Sequence, residues 1–156
     1  RQQSRLRLFE IGRVFAARDG GEAPQETRRL ALAACGDAGV EQWGERARPV
    51  DFHDLKGDLD SLAAAAGAEL EYRPAAPGWA HPGRAAELLR DGAVIGWIAE
   101  LHPRLQKALG LDHPVLACEL DLQPLQQRPL PRATGLSRYP SVRRDLAFVV
   151  PETVSW

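Results

Sequence analysis

The stretch Arg84-Ala85-Ala86-Glu87-Leu88-Leu89-Arg90-Asp91-Gly92-Ala93-Val94-Ile95-Gly96-Trp97-Ile98-Ala99-Glu100-Leu101 decides the fold class. Asp91-Gly92 separates two apolar runs by two residues, and an Asp-Gly pair accepts the positive φ angles that a tight hairpin turn requires. Strands joined this way are antiparallel. Downstream, His102-Pro103 opens a short helix running through Leu109. Proline fits the first helical position because its missing N–H has no partner there, and Gly110 closes the helix. From Pro114 to Leu122 the chain alternates Val115, Ala117, Glu119 and Asp121 against Leu116, Cys118, Leu120 and Leu122, the pattern of a strand. Upstream, Glu69 to Arg73 alternates as a short strand, and Pro74 to Gly83, rich in proline and glycine, is predicted to be irregular.

Further outward, Phe52, Leu55, Leu59, Leu62, Ala63 and Ala66 recur at helical spacing. Asp51 caps this helix, Asp54 lies in its first turn, and Gly67 ends it. Leu6 to Phe15 reads as a strand whose apolar phase changes near Gly12, the mark of a bulge. After the turn-rich Arg18–Pro24 loop, Arg29 to Gly36 returns as its hairpin partner. Sequential hairpins around one long helix predict an α+β fold, an antiparallel sheet flanked by helices. Gln123 to Ser137 reads as a linker, followed by the basic stretch Arg138-Tyr139-Pro140-Ser141-Val142-Arg143-Arg144 and a strand at residues 145–150.

The chain has 156 residues, with 20 Lys and Arg against 21 Asp and Glu. That near-neutral balance supplies no basic field for a nucleic-acid backbone, so a DNA-binding module is excluded and any RNA contact must be local. Every apolar run is interrupted well before the ~18 residues of a membrane span, and no apolar signal core follows the first residues, so a cytoplasmic protein is expected. The absence of methionine suggests a piece of a longer polypeptide. Cys35 and Cys118 lack C-x-x-C spacing and read as small buried apolar side chains in a reducing compartment.

Side chains able to do chemistry are scattered. His53, His81, His102 and His113 lack metal-ligand spacing and fit capping, turn or surface roles. Asp51, Asp54, Asp58 and Asp60 could hold a cation, but helix solvation and complementarity to the N-terminal dipole explain them. Gly20-Gly21 lacks the rest of any phosphate-binding fingerprint, and no serine has nucleophile-elbow context. Arg138, Tyr139, Arg143 and Arg144 combine guanidinium groups with a stacking ring, the composition of a single-stranded RNA contact, although a basic linker end has the same composition.

Five blocks, taken in order, carry a resemblance. Leu8-Phe9-Glu10-Ile11-Gly12-Arg13-Val14-Phe15, Asp51-Phe52-His53-Asp54-Leu55-Lys56-Gly57-Asp58-Leu59, His81-Pro82-Gly83-Arg84-Ala85-Ala86 with Ile95-Gly96, Glu100-Leu101-His102-Pro103, and Ser137-Arg138-Tyr139-Pro140-Ser141-Val142-Arg143-Arg144-Asp145-Leu146-Ala147 resemble the C-terminal half of the bacterial phenylalanine–tRNA ligase beta subunit. The resemblance implies a catalytic-like module with a class II aminoacyl-tRNA synthetase core over residues 1–130. Residues 131–156 would then be a linker and the truncated start of a ferredoxin-like anticodon-binding domain. It also implies a catalytic alpha subunit and tRNA(Phe) as partners in an alpha2beta2 heterotetramer, with ATP and magnesium serving the whole enzyme and no cofactor in this fragment.

Compared with the catalytic subunit of that enzyme, the departures are informative. Ala16 follows Phe15 where the catalytic subunit has an ATP-binding arginine, and Leu30-Ala31-Leu32-Ala33 replaces a His-Gln-x-Glu run. Ala76-Pro77-Gly78-Trp79-Ala80-His81-Pro82 replaces the aromatic loop of the phenylalanine pocket, and Cys118-Glu119-Leu120-Asp121-Leu122 replaces a Gly-rich stretch ending in a second arginine. Phosphate activation needs positive charge fixed at the transferring group, so the expectation is a pseudo-catalytic module without catalytic, cofactor-binding or metal residues. The arginine–tyrosine stretch is its one candidate tRNA contact. The alternatives are an enzyme with an unrecognised site and an unrelated soluble protein-interaction domain.

Overall fold

A computed structural model describes residues 4–18, 20, 23–127, 139–140, 142–149 and 151. Its elements in chain order are β1 (Arg5–Ala16), β2 (Gln25–Gly36), α1 (Phe52–Ala66), β3 (Glu71–Pro74), β4 (Ala80–Arg90), β5 (Ala93–Leu101), α2 (Pro103–Ala108), β6 (Val115–Asp121) and α3 (Leu122–Gln126). The strands form one six-stranded sheet in the order β1-β2-β6-β5-β4-β3, with every neighbouring pair antiparallel. The α+β class and its antiparallel sheet are therefore as the turn chemistry demands. Asp91 and Gly92 both adopt positive φ, 50° and 78°, at the β4–β5 turn.

α1 covers one face of the sheet. Leu55 and Leu59 pack on Leu30 and Ala34 of β2, Leu116, Cys118 and Leu120 of β6, Ile98 of β5 and Leu88 of β4. These strand residues sit at alternate positions, so one face of each strand enters the core and the other looks away from α1. The helix starts and stops where its chemistry directs. Asp51 Oδ1 accepts from the His53 and Asp54 N–H groups, Asp54 Oδ2 accepts from the Asp51 N–H, and Gly67 takes the left-handed conformation at φ 70°.

Three sequence expectations are corrected. β1 pairs with β2 without interruption from Arg5↔Gly36 to Ala16↔Gln25, so there is no bulge at Gly12. The apolar phase change arises instead because both faces of this edge strand carry exposed apolar side chains. β4 begins at Ala80, inside the stretch expected to be irregular. The ladder to β5 slips between Ala80 and Ala85, where Pro82 has no N–H to give and Gly83 turns to φ 80°. Residues 142–149 form no strand and are exposed, because no described strand offers them a ladder. Cys118 is buried as expected, whereas Cys35 is only half-buried. Among the described residues no helix is long and apolar enough to cross a membrane.

Candidate functional site

On the sheet face away from α1 the registers line up three rows of side chains. Leu8, Ala33, Ala117, Ala99 and Ala85 form one row, and Glu10, Ala31, Glu119, Trp97, Glu87 and Arg73 form the next, crossing all six strands. Gly12, Arg29 and Asp121 begin a third. The loop after β3 folds over these rows and closes a cleft of about 700 Å³. Pro74, Pro77 and Trp79 form its wall, and Arg29, Trp97, Glu119 and Asp121 part of its floor. Trp79 meets Trp97 edge to face at 4.7 Å between centroids, a favoured aromatic geometry. Its carbonyl accepts from the His102 N–H at 2.9 Å, fixing the loop to the start of α2.

Of the departures noted in the sequence, Ala76, Pro77, Trp79, Glu119, Leu120 and Asp121 line this cleft, whereas Ala16 and the Leu30–Ala33 run lie outside its lining. Ala31 and Ala33 stand on the open face and carry no hydrogen-bonding atom, while Leu30 and Leu32 turn into the core. Ala16 is exposed at the far end of β1. The Ala76–Pro82 stretch, which stands where the resemblance has the aromatic loop, brings Trp79 into the cleft wall. Sequence matching did not anticipate Arg29, a guanidinium inside the cleft. It donates to Glu119 Oε1 at 2.6 Å, and its Nε lies 3.2 Å from Asp121 Oδ1. Those last two atoms are buried without hydrogen-bond geometry, so they attract only as charges. The Glu119 hydrogen bond leads the effects that raise the Arg29 pKa, overcoming its desolvation. The only signal of this in the sequence was parity: Arg29 on β2 and Glu119 and Asp121 on β6 share a face once the two strands pair.

This arrangement does not fit a nucleoside triphosphate. Arg29 is already committed to two carboxylates, and Glu87 adds a third negative group to the lining, with Arg73 bonded to it at 2.8 Å outside the floor. Anionic phosphates would meet more negative than positive charge. The described residues include no cluster of three or more metal-ligating side chains.

The other candidates take structural positions. Asp54 receives two hydrogen bonds from Arg48, at 2.6 and 2.7 Å. Those bonds outweigh burial and, with the Asp51 N–H and the Arg48 and Arg7 charges, hold its carboxyl at about 2. Asp58 pairs with Arg7, joining α1 to β1. Asp60 accepts from Lys56 at 2.7 Å and from the Tyr72 hydroxyl at 2.6 Å, joining α1 to β3. Burial pushes the Asp60 pKa up, yet these two hydrogen bonds win and lower it. His102 caps α2, its Nδ1 accepting from the Arg104 N–H at 3.1 Å. Tyr139, Arg143 and Arg144 are exposed on irregular backbone, and Arg138 lies outside the described residues.

Residues 1–122 match the family model described as the phenylalanyl tRNA synthetase beta chain CLM domain. The chain belongs to the phenylalanyl-tRNA synthetase beta chain family. Its similarity to the phenylalanine–tRNA ligase beta subunit of Xanthomonas oryzae pv. oryzae is 62% identity over 157 residues, covering 100% of this chain and 20% of that protein. To the beta subunit of Xylella fastidiosa strain Temecula1 it is 58% over 157 residues, with the same two shares. The chain thus spans one fifth of the relatives' length. Among solved structures, pyrrolysyl-tRNA synthetase from Desulfitobacterium hafniense superimposes with a TM-score of 0.54 at 19% identity, over 77% of this chain and 40% of that one. At that identity the likeness is one of fold, and it places this beta-chain sheet beside that of an aminoacyl-tRNA synthetase. Membership of the family sets aside the unrelated interaction domain.

Proposed function

We propose that this beta-chain module is a non-catalytic part of phenylalanine–tRNA ligase, a class II-like synthetase core over residues 1–130 whose cleft has lost its chemistry. In this reading it supports ATP-dependent attachment of phenylalanine to tRNA(Phe) by docking the catalytic alpha subunit within an alpha2beta2 assembly in the cytoplasm. ATP and magnesium act in the partner's site. Residues 131–156 lead into a ferredoxin-like anticodon-binding domain, and Arg138, Tyr139, Arg143 and Arg144 meet tRNA phosphates or bases.

The observation that carries the reading is the cleft floor, where Arg29 is held by Glu119 and Asp121, together with alanines at the matched catalytic positions elsewhere on the same sheet face. Supporting the docking role, α2 buries none of its residues and presents Leu105 and Leu109 one helical turn apart, followed by the exposed Leu111. Exposed apolar side chains close together on an element without its own core mark a protein-binding surface. The test is co-purification with the catalytic subunit from the same source, using the chain itself and Leu105→Asp/Leu109→Asp, alongside ATP–pyrophosphate exchange. Complex formation lost in the double variant, with no exchange by the chain alone, supports the reading. Exchange activity in the isolated chain sinks it. For the basic stretch, each Arg→Ala change should reduce the salt slope of tRNA binding by about one counterion, and an unchanged slope identifies a plain linker.

A further inference from the structure

The cleft is lined by the carboxylates Glu87, Glu119 and Asp121 and by the indoles of Trp79 and Trp97. Its charges do not balance. Arg29 hydrogen-bonds Glu119 from inside the cleft and Arg73 hydrogen-bonds Glu87 from outside it, so Asp121 is the carboxylate left over. Asp121 Oδ1 is buried with no hydrogen-bond partner among the described residues, a cost that a donor brought into the cleft would relieve. The register sets an indole between the other two carboxylates. Trp97 pairs with Glu119 on one side and Glu87 on the other, so at about 4.8 Å between strands those carboxylates stand roughly 10 Å apart across it. An indole attracts cations over its face, and a carboxylate accepts the parallel N–H groups of a guanidinium. All these lining residues lie between positions 29 and 121, inside the span that matches the family model.

We propose that the cleft takes the arginine side chain of a polypeptide, its guanidinium bonded to Asp121 and resting on the tryptophan pair. Charge selects among the sources of a guanidinium. Free arginine brings a carboxylate into a cleft that already holds one too many, and agmatine, its decarboxylated form, brings two positive charges to a site short of one. Within a polypeptide the α-amino and α-carboxyl groups are spent in peptide bonds, so the side chain arrives as a single cation. Arginine suits the site better than lysine, since a guanidinium is planar, stacks on aromatic rings and sheds water more easily than an ammonium group. Arg29 does not oppose it, because its charge is already matched by Glu119. Pro74, Ala75, Ala76 and Pro77 give the wall an uncharged surface for the residues on either side of the arginine, within a cleft of about 700 Å³. The inference rests on this lining alone and stands apart from the docking of a catalytic subunit through α2.

The test is a titration of the chain, labelled with 5-fluorotryptophan, with N-acetylarginine methylamide, which holds a guanidinium between two peptide-like amides. Fluorine NMR reads binding at the Trp79 and Trp97 signals. Both should shift, and the citrulline analogue, of the same shape without the charge, should bind at least roughly 10-fold more weakly. Asp121→Asn and Trp97→Leu should each weaken binding roughly 5-fold or more, while Val40→Lys, remote from the cleft, leaves it unchanged. Asp121→Asn alters one half-exposed side chain, so it decides the matter even where Trp97→Leu fails to fold. No shift at the probe's highest soluble concentration overturns the proposal. So does binding that Asp121→Asn leaves intact, or that the citrulline analogue reproduces. Free arginine or agmatine binding as tightly as the probe overturns the polypeptide source and assigns the cleft to a free cation. In the whole beta chain the Trp97 signal should shift in the same way. Its failure to do so there overturns the proposal too, and assigns the cleft to another part of the same polypeptide.

Discussion

One chemical change at two glycines should have opposite effects. Gly57 lies in the interior of α1 with open space around the position of a Cβ, so Gly57→Ala adds a methyl group without contact. It also restricts the unfolded chain, which stabilises by about 0.5–1 kcal/mol. Gly96 pairs with Leu120 where β5 meets β6. A Cβ there would stand 2.2 Å from the Glu119 carbonyl oxygen and 2.6 Å from Leu120 Cα, about 1.2 Å short of the 3.4 Å at which ordinary contact begins. The obstacle is backbone and cannot rotate away. Moving β5 off β6 by that amount stretches a ladder hydrogen bond from ~2.9 Å past the ~3.5 Å at which it ceases to count as one. Two or three such bonds at ~1 kcal/mol each, less the gain from replacing a strand glycine, leave a loss of roughly 2 kcal/mol, in the range of overpacked cores. The two variants should therefore differ by about 3 kcal/mol, or ~6–12 °C in Tm for a chain of this size. Urea denaturation followed by circular dichroism measures both. Gly96→Ala matching or exceeding the stability of Gly57→Ala would refute the claim that backbone approach, not flexibility, demands the Gly96 glycine.

Other consequences are as direct. The Asp54 carboxyl is held at about 2 against an ordinary 3.8, so its contribution is complete above about pH 4 and disappears as pH falls toward 2. Acid titration of stability should show Asp54→Asn about 1 kcal/mol less stable at neutral pH, the value being limited because Arg48 is 57% exposed, with the gap closing in that window. Burial, with the Glu119 charge, pushes the Cys118 thiol up to about 12. Native protein at about pH 8 should alkylate at Cys35 and spare Cys118 until denaturant is added, as peptide mapping would reveal. Glu100 is 5% exposed and accepts from Arg84 at 2.7 Å. Arg84→Met should destabilise by about 1–3 kcal/mol and Glu100→Gln in that background should restore part of the loss, the reverse of independent effects in a double-mutant cycle.

Much of the fold was legible because its signals are local. Asp91-Gly92 dictates its turn by φ, Asp51, Asp54 and Gly67 bound α1 by hydrogen bonding within a few residues, and Pro103 and Gly110 bracket α2. Readings failed where distant partners decide. The phase change in β1 looked like a bulge because alternation is informative only for a strand with one buried face, and β1, though tied to α1 through Arg7 and Asp58, buries none of its residues. The β4 start at Ala80 was hidden by Pro82 and Gly83, which a slipped register accommodates. Residues 142–149 have the composition of a strand and no described partner to make one.

The same division holds for the site. From the sequence alone came the absence of the expected phosphate-binding groups at Ala16, Ala31 and Ala33, since a side chain that does not exist can be read without coordinates. Only the tertiary structure revealed that Arg29, ninety residues from Glu119 along the chain, lies beside it with its charge already matched, and that Trp79 folds onto Trp97. Absence belongs to the residue itself. Neutralisation and closure belong to pairs of residues, and strand pairing brings such pairs together.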